Sequence, residues 1–334
     1  MIHVVNPDCL NNLLIKDIIE KELPEDNYIT SCLLINTAKN NYFENIEQDC
    51  VLVGCVNESI YKIQNNFIKK IIPYQNLKTI AAKVDYILYP NSIVVRTNTG
   101  CGGQCTYCNI CDNKIASYSI EKIIANIELH FDSTIKTIIF ISNNNSLYNY
   151  EETDIFDLTK IIKDRFKTDI IIQTLSIPFC IKNKSKLLNL LDHNYIKHFG
   201  LSVQSGSDSV LAKMNRPYNT FDVIKLMEDI NRRKLDCFVY SEFLYGFYGE
   251  TKRDLNKSLS LAYMFDHVVW YKYRQLNGSL AQKLYSDYYD APDWSSYIQD
   301  FANIVKKKSI IIEGGSFTKD FTKETIKPVW FIKK

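Results

Sequence analysis

No stretch of this 334-residue sequence is apolar for long enough to span a membrane, because every hydrophobic run is broken by Lys, Asn or Asp first. The opening residues, MIHVVNPDCLNNLLI, lack the basic start, apolar centre and small-residue cleavage site of a secretory signal. A charge excess is missing as well. With 40 Lys and Arg against 38 Asp and Glu, nothing in the overall balance demands a nucleic acid. These absences lead to the expectation of a cytoplasmic protein with no membrane partner. In a reducing compartment the ten cysteines are expected as free thiols, available for metal or redox work rather than for disulfides.

What is present is alternation. With 46% hydrophobic residues, the chain can bury a sizeable core and is long enough for one large domain and a smaller one. From about residue 93, short β-branched runs alternate with segments of helical period: IVVRTN, KTIIFIS, DIIIQTLS, HFGLSVQS, CFVYSEFLYG and HVVWYKYRQL are the strand candidates. Six strands with five intervening helices predict parallel pairing through right-handed crossovers. The first ~90 residues repeat the pattern on a smaller scale, with IHVVNPDC, CLLINTA and CVLVGC as strands, which suggests a small Rossmann-like βα domain. The expected domains are therefore 1–90, 91–282 and a basic extension at 283–334. In that extension, residues 306–334 carry eight Lys against Glu313, Asp320 and Glu324. That tail reads equally as a solvated face or an interaction surface.

The chemistry concentrates in TGCGGQCTYC, Thr99 to Cys108. Cys101, Cys105 and Cys108 stand in C-x3-C-x2-C spacing, and Gly102 with Gly103 lets the backbone turn tightly between them. Three thiolates hold three corners of an iron–sulfur cubane and leave one iron open, as catalytic metal sites require. Structural zinc or an electron-transfer cluster are the alternatives, with Cys111 as a fourth thiolate. The position of the loop, after the first strand of a βα series, is where such folds build active sites.

CGGQCTYC resembles the cluster motif of radical S-adenosylmethionine (SAM) enzymes, with Tyr107 before the last cysteine. GLSVQSGSDSVLAKMNRPY, YGFYGET and YKYRQLNGSLA resemble, in order, signatures of the methylthiotransferases within that group, and the likeness covers roughly residues 1–285. The resemblance implies an α/β fold with an open, partial (βα)6 barrel. It also implies a [4Fe-4S] cluster with an open iron site that chelates SAM, and a 5′-deoxyadenosyl radical that takes hydrogen from an unactivated carbon. A second cluster, held by the N-terminal domain, would supply the sulfur. A reductant such as flavodoxin or ferredoxin would deliver electrons. A dry barrel mouth would exclude competing hydrogen donors.

The three N-terminal ligand positions of that family fall on Cys9, Ala38 and Cys55, so one thiol is absent. On the expected strands, Cys32 and Cys50 lie five or six residues from the ligand ends, roughly 16–20 Å away. They read as buried small hydrophobes, as do Cys180 and Cys237. The second cluster then survives on Cys9 and Cys55 with an outside ligand or Cys111, is smaller, or is absent.

Gln204 and Arg216 match the fourth-strand motif, which the resemblance places toward the methionyl end of SAM. Asn143, in ISNNN, stands where the family has glycine and is a further candidate contact. Glu250 reads equally as a helix-start carboxylate. The family's C-terminal TRAM β-barrel is not recognisable in the basic tail, and the expectation is that the substrate is recognised otherwise. The expected function is methylthiolation of a peptide or protein, which SIIIEGG or KPVWFIKK would pair as an added strand. The alternatives are a tRNA adenosine methylthiotransferase, a radical enzyme with non-sulfur chemistry, and a non-catalytic electron-transfer protein.

Overall fold

The computed structural model describes residues 91–108, 114–276, 278–285 and 289–304, and beyond these the backbone of six strands. Four of the six form a parallel sheet in chain order: β1 (Ile2–Val4), β2 (Tyr28–Cys32), β3 (Cys50–Cys55) and β4 (Ile68–Pro73). The sequence expectation for Cys32 is corrected here. The second strand runs Tyr28–Cys32, so Cys32 ends it rather than starting it, and it stands in register with Cys55. Adjacent strands lie about 4.8 Å apart, so the backbone brings these two cysteines level, while Cys50 begins its strand as expected. Cys9, Ala38, Cys111 and the segment KPVWFIKK lie outside the described residues.

The larger sheet has eight strands. β5 (Tyr86–Tyr89) makes an antiparallel hairpin with β6 (Ser92–Arg96). The short pair β7 (Asn98–Thr99) and β8 (Ala116–Ser117) brackets the cysteine loop, and α1 (Ile120–Glu128) leads to β9 (Thr137–Ile141). A small hairpin, β10 (Asn149–Tyr150) with β11 (Thr153–Asp154), precedes α2 (Ile155–Phe166) and β12 (Asp169–Leu175). Then come α3 (Ile177–Lys182), α4 (Lys184–Asp192), β13 (His198–Gln204), α5 (Asp208–Lys213), α6 (Thr220–Arg233) and β14 (Phe238–Tyr245). The last elements are α7 (Lys252–Ala262), β15 (His267–Lys272), α8 (Leu280–Tyr285), α9 (Ser295–Ile304) and β16 (Ile310–Glu313).

Strands β6, β9, β12, β13, β14 and β15 are the six expected from sequence, adjacent in that order and parallel throughout. The sheet is open: β5 closes one edge and β16, parallel to β15, ends the other. By its internal contacts the chain divides into Ala82–Glu313 and a second unit of Met1–Ala81 with Gly314–Lys334. This differs from the expected boundaries at 90 and 283, because Tyr86–Tyr89 and Ile310–Glu313 pair with strands of the larger sheet. The IIIE of SIIIEGG is thus already engaged along one side.

Pleating explains which face each strand residue takes. Phe199, Leu201 and Val203 of β13, and Val239 and Phe243 of β14, join Leu226, Ile230 and Leu259 in the core beneath the helices. Trp270 stacks on Phe243 there, with ring centroids 4.9 Å apart. The alternate residues, Ser202 on β13 with Tyr240 and Glu242 on β14, take the opposite face, while the register slip before Gln204 takes that residue out of the alternation. Capping fixes where the helices start: Asp154 with Asp157, and Thr251 with Asp254, form reciprocal capping boxes. Gly206 lets the turn after β13 approach α7, since a Cβ there would lie 2.6 Å from the Lys257 carbonyl oxygen. No helix among the described residues is long and apolar enough to cross a membrane.

Candidate functional site

The cysteine loop leaves β7 at Gly100, whose φ of +82° and whose Cα, where a Cβ would lie 2.6 Å from the Lys114 carbonyl oxygen, both demand glycine. Its base is pinned to the end of β9. Thr97 Oγ1 donates to Asn145 Oδ1 at 2.9 Å, and Asn98 Nδ2 donates to the Asn144 carbonyl at 3.1 Å. Of the ISNNN segment, Asn144 and Asn145 make these bonds, whereas the sequence candidate Asn143 is exposed.

The far side of the loop is gripped by the end of α5. Thr106 donates from its N–H to Met214 O at 3.1 Å and from Oγ1 to Lys213 O at 2.7 Å. Asn215 Nδ2 donates to Gln104 O at 2.9 Å. The Ala281 N–H of α8 donates to Thr106 O at 2.7 Å, and the Tyr285 hydroxyl reaches Lys213 O at 2.9 Å. Thr106 is buried, whereas the three cysteines around it are reduced and half-buried. Thus the loop backbone is held while the thiols keep partial exposure.

A [4Fe-4S] cluster fits this loop by the chemistry of its donors. Three thiols lie within eight residues, and a Cβ on Gly103 would sit 3.4 Å from Cys101 Sγ and 3.7 Å from Cys105 Sγ, so the missing side chain keeps space between two of the sulfurs. Among the described residues no three metal-binding side chains already converge on one point. Cys180 and Cys237 stand apart as buried thiols, and burial pushes that of Cys237 up to about 12.

Arg216 joins the loop to the inner face of the sheet. Nη1 donates to Cys105 Sγ at 3.1 Å, Nη2 to the Ser202 carbonyl at 2.6 Å and Nε to the Tyr218 hydroxyl at 3.0 Å. Ser202 Oγ donates in turn to Glu242 Oε2 at 3.2 Å. Burial raises the Glu242 carboxyl above the usual range, against the Ser202 bond and the Arg216 charge. Glu242 is a site residue that sequence reasoning missed; its signal was a lone carboxylate in an otherwise apolar strand, CFVYSEFLYG. Gln204 is buried at the end of β13 with φ +71°, a left-handed conformation that strains a non-glycine residue. The register between β13 and β14 shifts just before it. Tyr107 packs edge-on against Phe247. Burial raises its hydroxyl, and the nearby Arg216 charge opposes that.

Glu250 serves the neighbouring loop rather than the helix start. Its Oε2 accepts from the Gly246 N–H at 2.6 Å and the Phe247 N–H at 3.1 Å, while Thr251 and Asp254 cap the helix. Burial pushes its carboxyl up to about 7.

Comparison with known proteins places these features in a family context. The family model described as the radical SAM superfamily matches residues 95–262, about half of the chain. The ribosomal protein uS12 methylthiotransferase RimO of Dictyoglomus thermophilum is 27% identical over 207 residues, 59% of this chain and 46% of that protein. A tRNA-2-methylthio-N(6)-dimethylallyladenosine synthase of Malacoplasma penetrans is 26% identical over 233 residues, 67% of this chain and 45% of that protein. The chain spans about half the length of the curated relatives it matches. Among solved structures, the radical S-adenosylmethionine methyltransferase TsrM of Kitasatospora setae, with tryptophan and a SAM analogue bound, aligns at a TM-score of 0.52 and 10% identity. That alignment covers 79% of this chain and 65% of TsrM, a likeness of fold alone.

Proposed function

As the chain belongs to the radical SAM superfamily, we propose that it is a methylthiotransferase acting at an unactivated C–H of a peptide or protein. The observation that carries this reading is the grip of Lys213, Met214, Asn215 and Arg216 on the cysteine loop. These residues close the methylthiotransferase-like signature GLSVQSGSDSVLAKMNRPY, so the motif has a physical task at the cluster site. A [4Fe-4S] cluster with SAM supplies one-electron chemistry able to take hydrogen from an unactivated carbon. Cys101, Cys105 and Cys108 would hold it. The N–H that each Arg216 Nη keeps beyond its bond to Cys105 or Ser202, with the guanidinium charge, suits the SAM carboxylate. Glu242, bonded to Ser202 beside Arg216, offers an acceptor for hydroxyl groups, and Gln204 ends the same strand as Ser202. Tyr107 and Phe247 shield the loop from water on their side.

For sulfur insertion the N-terminal unit would contribute a second cluster on Cys9 and Cys55, and the register of Cys32 with Cys55 makes Cys32 a third candidate thiol. The electron donor would be a flavodoxin- or ferredoxin-type reductant. A tRNA adenosine substrate is the second reading, favoured by relatives whose names specify tRNA.

Anaerobic incubation with SAM and dithionite tests the core of the proposal. The intact chain should form 5′-deoxyadenosine, and the variant with Cys101, Cys105 and Cys108 all changed to Ala should form none while remaining folded, since the loop's anchors are backbone groups and Thr106. Absence of 5′-deoxyadenosine from the intact, iron-loaded chain would point to an electron-transfer protein. Iron and sulfide retained by the triple variant, and lost on further change of Cys9 and Cys55, would locate the second cluster.

A further inference from the structure

Arg216 has all three kinds of guanidinium nitrogen committed: Nη1 to Cys105 Sγ, Nη2 to Ser202 O and Nε to the Tyr218 hydroxyl. The Tyr218 hydroxyl is itself tied to Val203 O at 2.7 Å, and its ring lies 5.2 Å from the guanidinium carbon. A side chain pinned to the sheet at Ser202 and to Tyr218 beside it presents its third donor to the sulfur without first losing rotamer freedom. Its position along the chain is fixed too. Asn215, with φ +55°, holds Gln104 from one side while Lys213 and Met214 hold Thr106 from the other, so Cys105 lies between two anchors. Among the described residues no carboxylate lies within salt-bridge distance of Arg216, so no close ion pair cancels its charge.

A full positive charge and an N–H on a ligand sulfur withdraw electron density from the thiolate and offset the negative charge that reduction adds. Hydrogen bonds to sulfur and net charge are among the principal levers on cluster potential. We propose that Arg216 is a potential-setting residue whose hydrogen bond to Cys105 makes the cluster of the SAM-free protein easier to reduce. The inference rests on the cluster assigned above to Cys101, Cys105 and Cys108. One electron enters from the added reductant, and no bond is made or broken in the protein.

The test is a redox titration of the anaerobically reconstituted full chain without SAM, followed by the electron paramagnetic resonance of the reduced cluster. It compares the native chain with Arg216→Met, which removes charge and donor, and Arg216→Gln, which leaves at most one neutral donor. Arg216→Met should shift the reduction equilibrium about tenfold toward the oxidised form, equal to ~59 mV for a one-electron couple, with Arg216→Gln between it and the native chain. A residue with only a structural role would change iron content or thermal midpoint but not the potential. Potentials of both variants within about threefold of native, in the same equilibrium terms, overturn the inference. If Arg216→Met does not take up iron, Arg216→Gln decides by the same criterion. A native chain that takes up no iron and sulfide overturns the proposed function, and this inference with it.

Discussion

At the scale of single residues, two buried groups set opposite limits on the pH range of stability. Glu250 is neutral up to about pH 7 in the folded chain, whereas its unperturbed value is 4.5. A folded-state pKa above the unfolded one contributes stability that is fully present below pH 4.5 and lost as pH rises through 7, on the order of 3 kcal/mol in total. Glu250→Gln keeps an acceptor for the Gly246 and Phe247 amides without the ionisation, so urea midpoints should fall less between pH 5 and pH 8 in the variant than in the native chain. An equal fall in both would show that Glu250 is not the cause. His198 works the other way, because burial, and secondarily the charge of His267, depress it from 6.5 to about 4 while Asp266 opposes them. Its contribution is present above pH 6.5 and lost as pH falls toward 4, again on the order of 3 kcal/mol. Thermal midpoints at pH 4.5 and pH 7 should therefore differ less in His198→Phe than in the native chain, the new ring packing in the same aromatic setting of Phe238 and Tyr240. Of the site residues, the three cysteines were legible from spacing alone. The Arg216–Cys105 bond was not, because its partners lie 111 residues apart and only the folded sheet brings them together.

At the scale of elements, the segment from Lys213 to Arg216 couples α5 to the cysteine loop, and Asn215 is the joint that separates its two tasks. Its φ of +55° suits Asn or Gly, while only its side chain reaches Gln104. Asn215→Gly therefore keeps the backbone and removes the anchor. Amide hydrogen exchange at residues 104–106 should speed up severalfold while the unfolding midpoint moves little, whereas unchanged exchange would show that Thr106 holds the loop alone. The six central strands were legible because buried parallel strands read as unbroken β-branched runs such as TIIFI. β16 is equally apolar, but periodicity carries no information on which sheet a strand joins, so from sequence IIIE reads as part of a separate tail. The second strand differs from its expected position for a related reason. Leu33, Leu34 and Ile35 continue the apolar run past Cys32, so no polar break marks where pairing stops.

At the scale of the whole molecule, the question is which class of substrate the charge and the sheet edge suit. Forty basic residues against 38 acidic ones leave no global field to draw in a polyanion, and the eight lysines of residues 306–334 offer attraction without the Arg and aromatic pairing that reads bases. β16 is the last strand of the larger sheet, and an extended peptide adds to such an edge through backbone hydrogen bonds that respond little to salt. A tRNA would instead neutralise several phosphates, and its log affinity would fall by about 0.7–0.9 per contact for each tenfold rise in salt. Cells carrying the native chain should accordingly show a gain of one sulfur and one CH2 on a peptide, absent from cells carrying the triple-cysteine variant. Mass spectrometry of tryptic peptides and of nucleosides from the same cultures separates the two substrates. A methylthio group found only on a tRNA nucleoside, with tRNA binding that collapses between 50 and 200 mM salt at roughly the slope above, would leave the edge strand without this role and give the lysine tail its function.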